Sequence, residues 1–182
     1  MTDHELARRF EAATTPHLDA AYNLARWLAR DPHDAEDVVQ EAYLRAFRFF
    51  GSFRGGDGRA WLLAIVRNSF YTWAEKNRHQ RRQVEYDEAS DGMELSEAGE
   101  TSLHGTDPQQ LLLRAADQQL VERALLELAE EYREILVLRE LEELSYKEIA
   151  DIVGVPLGTV MSRLSRARAQ LRARLEALEP KS

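Results

Sequence analysis

The 182-residue sequence contains no cysteine. That one absence excludes a disulfide framework, a Cys-ligated zinc site, an iron–sulfur cluster and a thiol nucleophile, and it fits a reducing compartment. Long apolar runs are also missing, and nothing approaches the ~18 consecutive apolar residues of a membrane span. The opening Met1-Thr2-Asp3-His4-Glu5 has no basic stretch leading into an apolar one, so no secretory signal is expected there. Strand alternation and internal repeats are absent. The five histidines (His4, His17, His33, His79, His104) are scattered and none falls in a spaced metal motif. Gly55-Gly56-Asp57-Gly58 is no phosphate loop, because neither a following Lys-Ser/Thr nor a preceding strand accompanies it. An enzyme is therefore not expected, nor is a metal, a cofactor or a small-molecule substrate. What is present suffices for folding: hydrophobic residues make up 44% and charged residues 31%, enough for one average domain or two small ones without a staple.

The net charge of −8 looks unsuited to nucleic acid until it is located. Residues 84–110 hold Glu85, Asp87, Glu88, Asp91, Glu94, Glu97, Glu100 and Asp107 and no Lys or Arg. Those eight acids equal the whole imbalance. The rest of the chain is neutral, and it contains two basic segments.

Hydrophobic spacing predicts helices on both sides of the acidic stretch. Residues 17–30 carry Leu18, Ala21, Tyr22, Ala25 and Leu28, with Leu24 and Trp27 widening the stripe. Asp31-Pro32 caps and restarts the chain into a helix over 32–49, acidic early and basic late, as the helix dipole favours. Its Val38, Val39, Ala42, Leu44, Ala46 and Phe47 are expected to face a core. After the Gly-rich connector, a long helix over 59–82 is expected to bury some of Trp61, Leu62, Ile65, Val66, Ser69 and Trp73. The acidic segment reads as a flexible tether, at most ~90 Å long. Further helices follow over 111–128 and 131–142. Ser145 to Glu148 form a capping box, Gly154 closes that short helix, and a last one runs from near Pro156 to about Leu178.

Two segments point to nucleic acid. Around Gly154, Ala150 and Val160 fall at the offsets of a helix-turn-helix, with Ile149, Val153, Val155 and Leu164 locking the pair together. Its second helix is expected to carry Thr159, Ser162, Arg163, Arg166 and Arg168 on its outward face, then Arg172 and Arg174. Between Leu157 and Leu175 there is no acid. A solvated helix usually mixes signs, so this run favours DNA. The helix over 59–82 combines Trp61, Phe70, Tyr71 and Trp73 with Asn68 and a basic end: Arg67 to Arg82 holds five basic residues against Glu75. Aromatics beside cations can stack unpaired bases, although core packing accounts for aromatics equally well. The acidic turn Asp37-Val38-Val39-Gln40-Glu41 carries little alone.

Taken in order, these parts resemble bacterial RNA polymerase sigma factors of the sigma-70 family. Asp34-Ala35-Glu36-Asp37-Val38-Val39-Gln40-Glu41-Ala42-Tyr43-Leu44-Arg45-Ala46 is similar to their polymerase-binding region. Phe53-Arg54-Gly55, Ala60-Trp61-Leu62 and Val66-Arg67-Asn68 are similar to the region that melts and reads the −10 element. Leu144-Ser145-Tyr146-Lys147-Glu148-Ile149-Ala150 and Gly158-Thr159-Val160-Met161-Ser162-Arg163-Leu164, followed by Arg166-Ala167-Arg168, resemble the −35-reading helix-turn-helix. The two-domain length resembles the extracytoplasmic-function (ECF) group.

The resemblance implies an all-α fold of two small helical domains, 1–83 and 116–182, joined by a flexible acidic linker over 84–115, which in this group threads toward the polymerase cleft. It implies a factor that binds core RNA polymerase, directs promoter-specific initiation and helps melt the −10 region. Asp37, Gln40 and Glu41 match positions that dock on the β′ clamp helices, and the β subunit is a further expected contact. Asn68 matches the pocket for a flipped −10 base, with Arg67, Trp73 and Lys76 on the same helix. Ser162, Arg163, Arg166 and Arg168 match the −35 reading helix, and Thr159 a phosphate contact. Promoter DNA and an anti-sigma factor are the other implied partners. The implied location is cytoplasmic, on the nucleoid through polymerase. Met161 stands where relatives often have Arg, Ser165 where they often have an aromatic residue, and Glu143 where many have Gly, which points to a different −35 sequence and a different turn. Two other readings fit parts of the sequence: a dimeric helix-turn-helix regulator with a sensing domain, and a sigma-like adaptor that no longer initiates. The motif over 34–46 argues against the first.

Overall fold

A computed structural model describes residues 1–84 and 108–180, with side chains over 1–78 and 114–180. Among the described residues every regular element is helical, as the spacing predicts. The bulk of the acidic segment, 85–107, lies outside them.

The first body holds α1 (Asp3–Thr14), α2 (Leu18–Ala29), α3 (Pro32–Phe49) and α4 (Gly58–Val84). Helix α1 has no counterpart among the sequence expectations, because its apolar stripe is thin: only Phe10 and Thr14 are buried. It is nonetheless well anchored. The Thr2 hydroxyl accepts from the Glu5 amide, Asp3 and Glu5 sit at the positive end of the helix, and the Phe10 ring meets Tyr43, Phe47 and Phe50 edge-on at 4.9, 5.2 and 5.4 Å. Asp31 caps α3 as expected, accepting from the amides of His33 and Asp34 at 2.8 and 3.1 Å. Those bonds hold its carboxyl below the ordinary range, the Asp34 amide foremost. Gly58 opens α4 against the α1 backbone. A Cβ there would stand 2.5 Å from the Ala13 carbonyl oxygen, which only glycine avoids.

The second body holds α5 (Pro108–Leu126), α6 (Glu130–Leu136, continued by a wider turn over Val137–Leu141), α7 (Tyr146–Val153) and α8 (Leu157–Leu178). Helix α5 starts inside the stretch expected as linker. Fully buried Arg133 ties the α5–α6 turn together, donating to the carbonyls of Leu126 and Leu128 at 3.2 and 3.0 Å. Burial pushes its guanidinium down to about 10. Before α7, Glu143 takes a left-handed conformation (φ 54°), the backbone geometry glycine supplies without strain.

The two bodies are packed on each other. Helix α2 meets α6, and α4 meets α7. One apolar cluster runs through both, including Leu24, Leu62 and Val66 on one side and Ile135, Leu138 and Ile149 on the other.

Candidate nucleic-acid interface

Helices α7 and α8 form the expected helix-turn-helix. The Ser145 hydroxyl accepts from the Glu148 amide at 3.1 Å. The Glu148 carboxylate faces the first body, with Oε2 3.9 Å from Arg59. Gly154 is left-handed (φ 74°), and its amide donates to the Ala150 carbonyl at 2.8 Å, closing α7. Ile149, Val153, Val160 and Leu164 are buried between the two helices, as predicted. This seam fixes which side of α8 faces water.

On that side Ser162 and Arg166 are exposed, and the Ser162 hydroxyl donates back to the Thr159 carbonyl at 3.1 Å. Thr159 is half-buried at the first turn. The remaining two predicted arginines lie on the flanks. Arg163 is half-buried and close enough to Glu134 of α6 to favour its charged form. Arg168 is exposed but ion-paired to Glu140 at 2.8 Å, which raises its pKa further. Met161 stands 53% exposed beside Ser162.

Helix α4 is less open than its composition predicts. Asn68 and Lys76 are exposed, Trp73 is half-buried, and Phe70 belongs to the core. Trp73 lines a cavity of about 280 Å³ together with Phe70, Asn77 and Arg78, and Glu130 of α6 closes one side. Arg67 is turned away from solvent. Its Nε and Nη2 donate to the two carboxylate oxygens of Glu134 at 3.0 and 3.1 Å. Tyr71 donates to the same carboxylate at 3.0 Å, and burial pushes the Tyr71 phenol up. Glu134 is an acid that sequence reasoning missed. Nothing in the spacing of Glu130-Glu131-Tyr132-Arg133-Glu134 tells which carboxylate goes inside.

On α3, Asp37, Gln40 and Glu41 are all exposed on one face, and Arg45 pairs with Glu41 at 2.9 Å. The structure corrects one expectation here. Leu44 and Phe47, predicted to face the core, are 61% and 48% exposed. With 3.6 residues per turn, Leu44 follows Asp37, Gln40 and Glu41 at the i, i+3, i+4, i+7 positions of a single face, so this face combines acids with large apolar side chains. Val38, Ala42 and Ala46 fill the core instead.

The comparisons agree with this arrangement. Residues 14–80 match the family model for sigma-70 region 2, and residues 118–171 that for sigma-70 region 4. Over 148 residues the chain is 38% identical to the ECF RNA polymerase sigma-E factor of Escherichia coli K12, covering 80% of this chain and 75% of that one. It is 35% identical over 159 residues to the ECF sigma factor SigE of Mycolicibacterium smegmatis, covering 86% of this chain and 57% of that relative's length. Among solved structures it is similar to the sigma factor RpoE of Bartonella quintana in complex with the anti-sigma factor NepR, at TM-score 0.74 and 28% identity over 94% of this chain and 99% of the other. It is also similar to CnrH in complex with the cytosolic domain of CnrY, at TM-score 0.61 and 25% identity, covering 95% and 91%. With both regions matched in order and flanking the acidic segment, the chain belongs to the ECF group of sigma-70 factors, the family that directs promoter-specific transcription initiation.

Proposed function

We propose that this chain binds core RNA polymerase through the outward face of α3, holds the melted −10 element along α4, and reads the −35 element with α8. The observation that carries this reading is the outward face of α8, where Ser162 and Arg166 stand exposed on a helix with five arginines and no acid from Leu157 to Leu175. Arginine reads guanine edges and phosphates with the same planar fork, so such a face suits a major groove. Arg168 reaches DNA by exchanging Glu140 for phosphate, half-buried Arg163 flanks the same face, and Thr159 serves a phosphate at the first turn.

On α3, the acids Asp37 and Glu41 with Gln40, Leu44 and Phe47 form the mixed polar and apolar patch that protein interfaces favour. Their partner is the β′ clamp, with β as a further contact. On α4, Asn68 holds a flipped base while Arg67, Trp73 and Lys76 grip the strand. Unstacking one base costs a few kcal/mol, which pocket and stacking contacts offset. Polymerase supplies the positive channel that a chain of net charge −8 lacks. Likeness to a sigma factor solved with its anti-sigma factor supports an anti-sigma factor as a further partner.

The test is run-off transcription with purified core polymerase on a promoter library randomised at both elements. Transcripts that require this protein and share −35 and −10 sequences are expected. Retention of DNA without polymerase, and no transcripts, would point to a stand-alone regulator; core binding without transcripts would point to an adaptor.

A further inference from the structure

The seam between the two bodies contains a fully enclosed carboxylate. Glu134 is 1% exposed. It receives two hydrogen bonds from Arg67 and one from Tyr71, three donors from α4. Arg67 keeps 18% of its side chain exposed and lies over the Tyr71 ring at 4.6 Å. Two more polar links cross the same seam: Arg59 donates to the Glu142 carbonyl at 3.1 Å, and Arg133 to the Leu28 carbonyl at 3.4 Å. The side chain that α4 would offer to a −10 backbone is thus already engaged by a carboxylate of the other body. An arginine fork receives carboxylate and phosphate with the same bidentate geometry, so one ligand displaces the other.

We propose that Glu134 is an autoinhibitory key: in the free chain its carboxylate stands in for a DNA phosphate on Arg67 and Tyr71, so that domain closure and −10 engagement exclude each other. The proposal rests on the reading of α4 as the −10 helix. It does not require the ion pair to drive closure. A buried pair roughly breaks even against its own desolvation, and the shared apolar cluster holds the bodies together. Glu134 instead sets the register of docking and withdraws Arg67 from DNA. Docking of α3 on polymerase remains open in this state, because Asp37, Gln40 and Glu41 face solvent away from the seam. The chain is arranged to meet polymerase first and promoter second.

The absence of cysteine permits clean labelling of the full chain at Glu11→Cys and Ala173→Cys, both exposed positions. Energy transfer between the two dyes reads closure without polymerase or DNA. Glu134→Lys places a cation against Arg67 and is expected to lose the high-transfer population. Glu134→Gln still accepts from Arg67 and Tyr71 and keeps it, as does Glu131→Lys, the same charge change on the exposed side of α6. The charge-swapped double variant, Arg67→Glu with Glu134→Lys, regains it. That recovery decides the matter even if the single Lys variant folds poorly by circular dichroism.

The second readout is anisotropy of a labelled single-stranded DNA pool. Glu134→Lys is expected to bind about tenfold more tightly, equal to about 1.4 kcal/mol, and Glu131→Lys to gain far less. Unchanged energy transfer in Glu134→Lys overturns the key, and so does an opened chain that binds DNA no better than Glu131→Lys. Arg67→Ala in the holoenzyme tests the underlying reading separately. If −10 binding survives there, the assignment of α4 fails, and the energy-transfer arm still decides closure.

Discussion

The two helices proposed to read DNA are in opposite states. Helix α8 carries Ser162 and Arg166 in open solvent, while α4 has its Arg67 and Tyr71 bound to Glu134 of the opposing body. The difference arises from where each helix lies in the fold. The apolar seam of α8 is satisfied within its own body by α7 and α6, which leaves its outer side free. Helix α4 is central, packing on α1, α2 and α3 and also on α7, so both of its sides have neighbours. A basic, aromatic-rich helix is therefore not automatically an available one. In this closed form Ser162 and Arg166 of α8 and the acids of α3 are presented, whereas on α4 Asn68 and Lys76 remain exposed and Arg67 and Tyr71 are covered.

The largest effect that can sharpen this contrast is on α3. Asp37→Arg is expected to abolish core-polymerase binding by pull-down or anisotropy while leaving energy-transfer closure and helicity intact. Unchanged core affinity would move the docking face elsewhere. Next, Leu44→Ala is expected to weaken core binding by ~2 kcal/mol, as truncation of an interface anchor does, without lowering stability, since Leu44 fills no core space. A drop in Tm of the free chain would mean that it does.

On the open side of the comparison, Arg166→Ala should cost ~1–3 kcal/mol at −35 sites in the holoenzyme and relax selectivity there, with closure untouched. Equal loss on all sequences would reduce Arg166 to a phosphate contact. Smaller still is Glu143→Gly. Relief of the left-handed strain (φ 54°) should add ~1 kcal/mol, which raises Tm by ~2–4 °C for a chain of this size. No gain would show that Glu143 has local compensation.

The smallest effect is on pH dependence. Burial is the leading influence on Glu134 and raises its pKa against the pull of Arg67, Tyr71 and Arg163. The flanking charges on its own helix are Glu130, Glu131 and Arg133. Closing therefore favours the protonated carboxyl. Closure should strengthen as pH falls from neutral toward the ordinary carboxyl value of 4.5, and the gain should vanish above the raised value. Opening on mild acidification would mean that the ion pair outweighs desolvation.

Most of the fold was legible because it was written in local signals. Asp31-Pro32, Ser145 and Gly154 set helix ends through caps and a left-handed turn, and these chemistries act within a few residues. The helix-turn-helix seam was legible for the same reason. Helix α1 was not, because its anchor Phe10 reaches rings 33 to 40 residues away, which periodicity within a window does not register. Leu44 and Phe47 depart from the expectation because apolar character does not by itself mean burial; their angular position on α3, shared with Asp37 and Gln40, puts them on the solvent side. The engagement of Arg67 by Glu134 lies beyond any such reading. It joins residues 67 positions apart, and one acid among several on α6 is selected by packing alone.

The most direct test of the account is to hold the chain closed and ask whether it can initiate. Arg59 and Glu142 face each other across the seam, and neither is assigned to DNA or polymerase. With Arg59→Cys and Glu142→Cys joined by a bis-maleimide whose spacer a reductant cleaves, run-off transcription should be lost while core binding persists, and cleavage of the spacer should restore it. Full transcription from the tethered, closed protein would contradict the claim that closure and −10 engagement exclude each other.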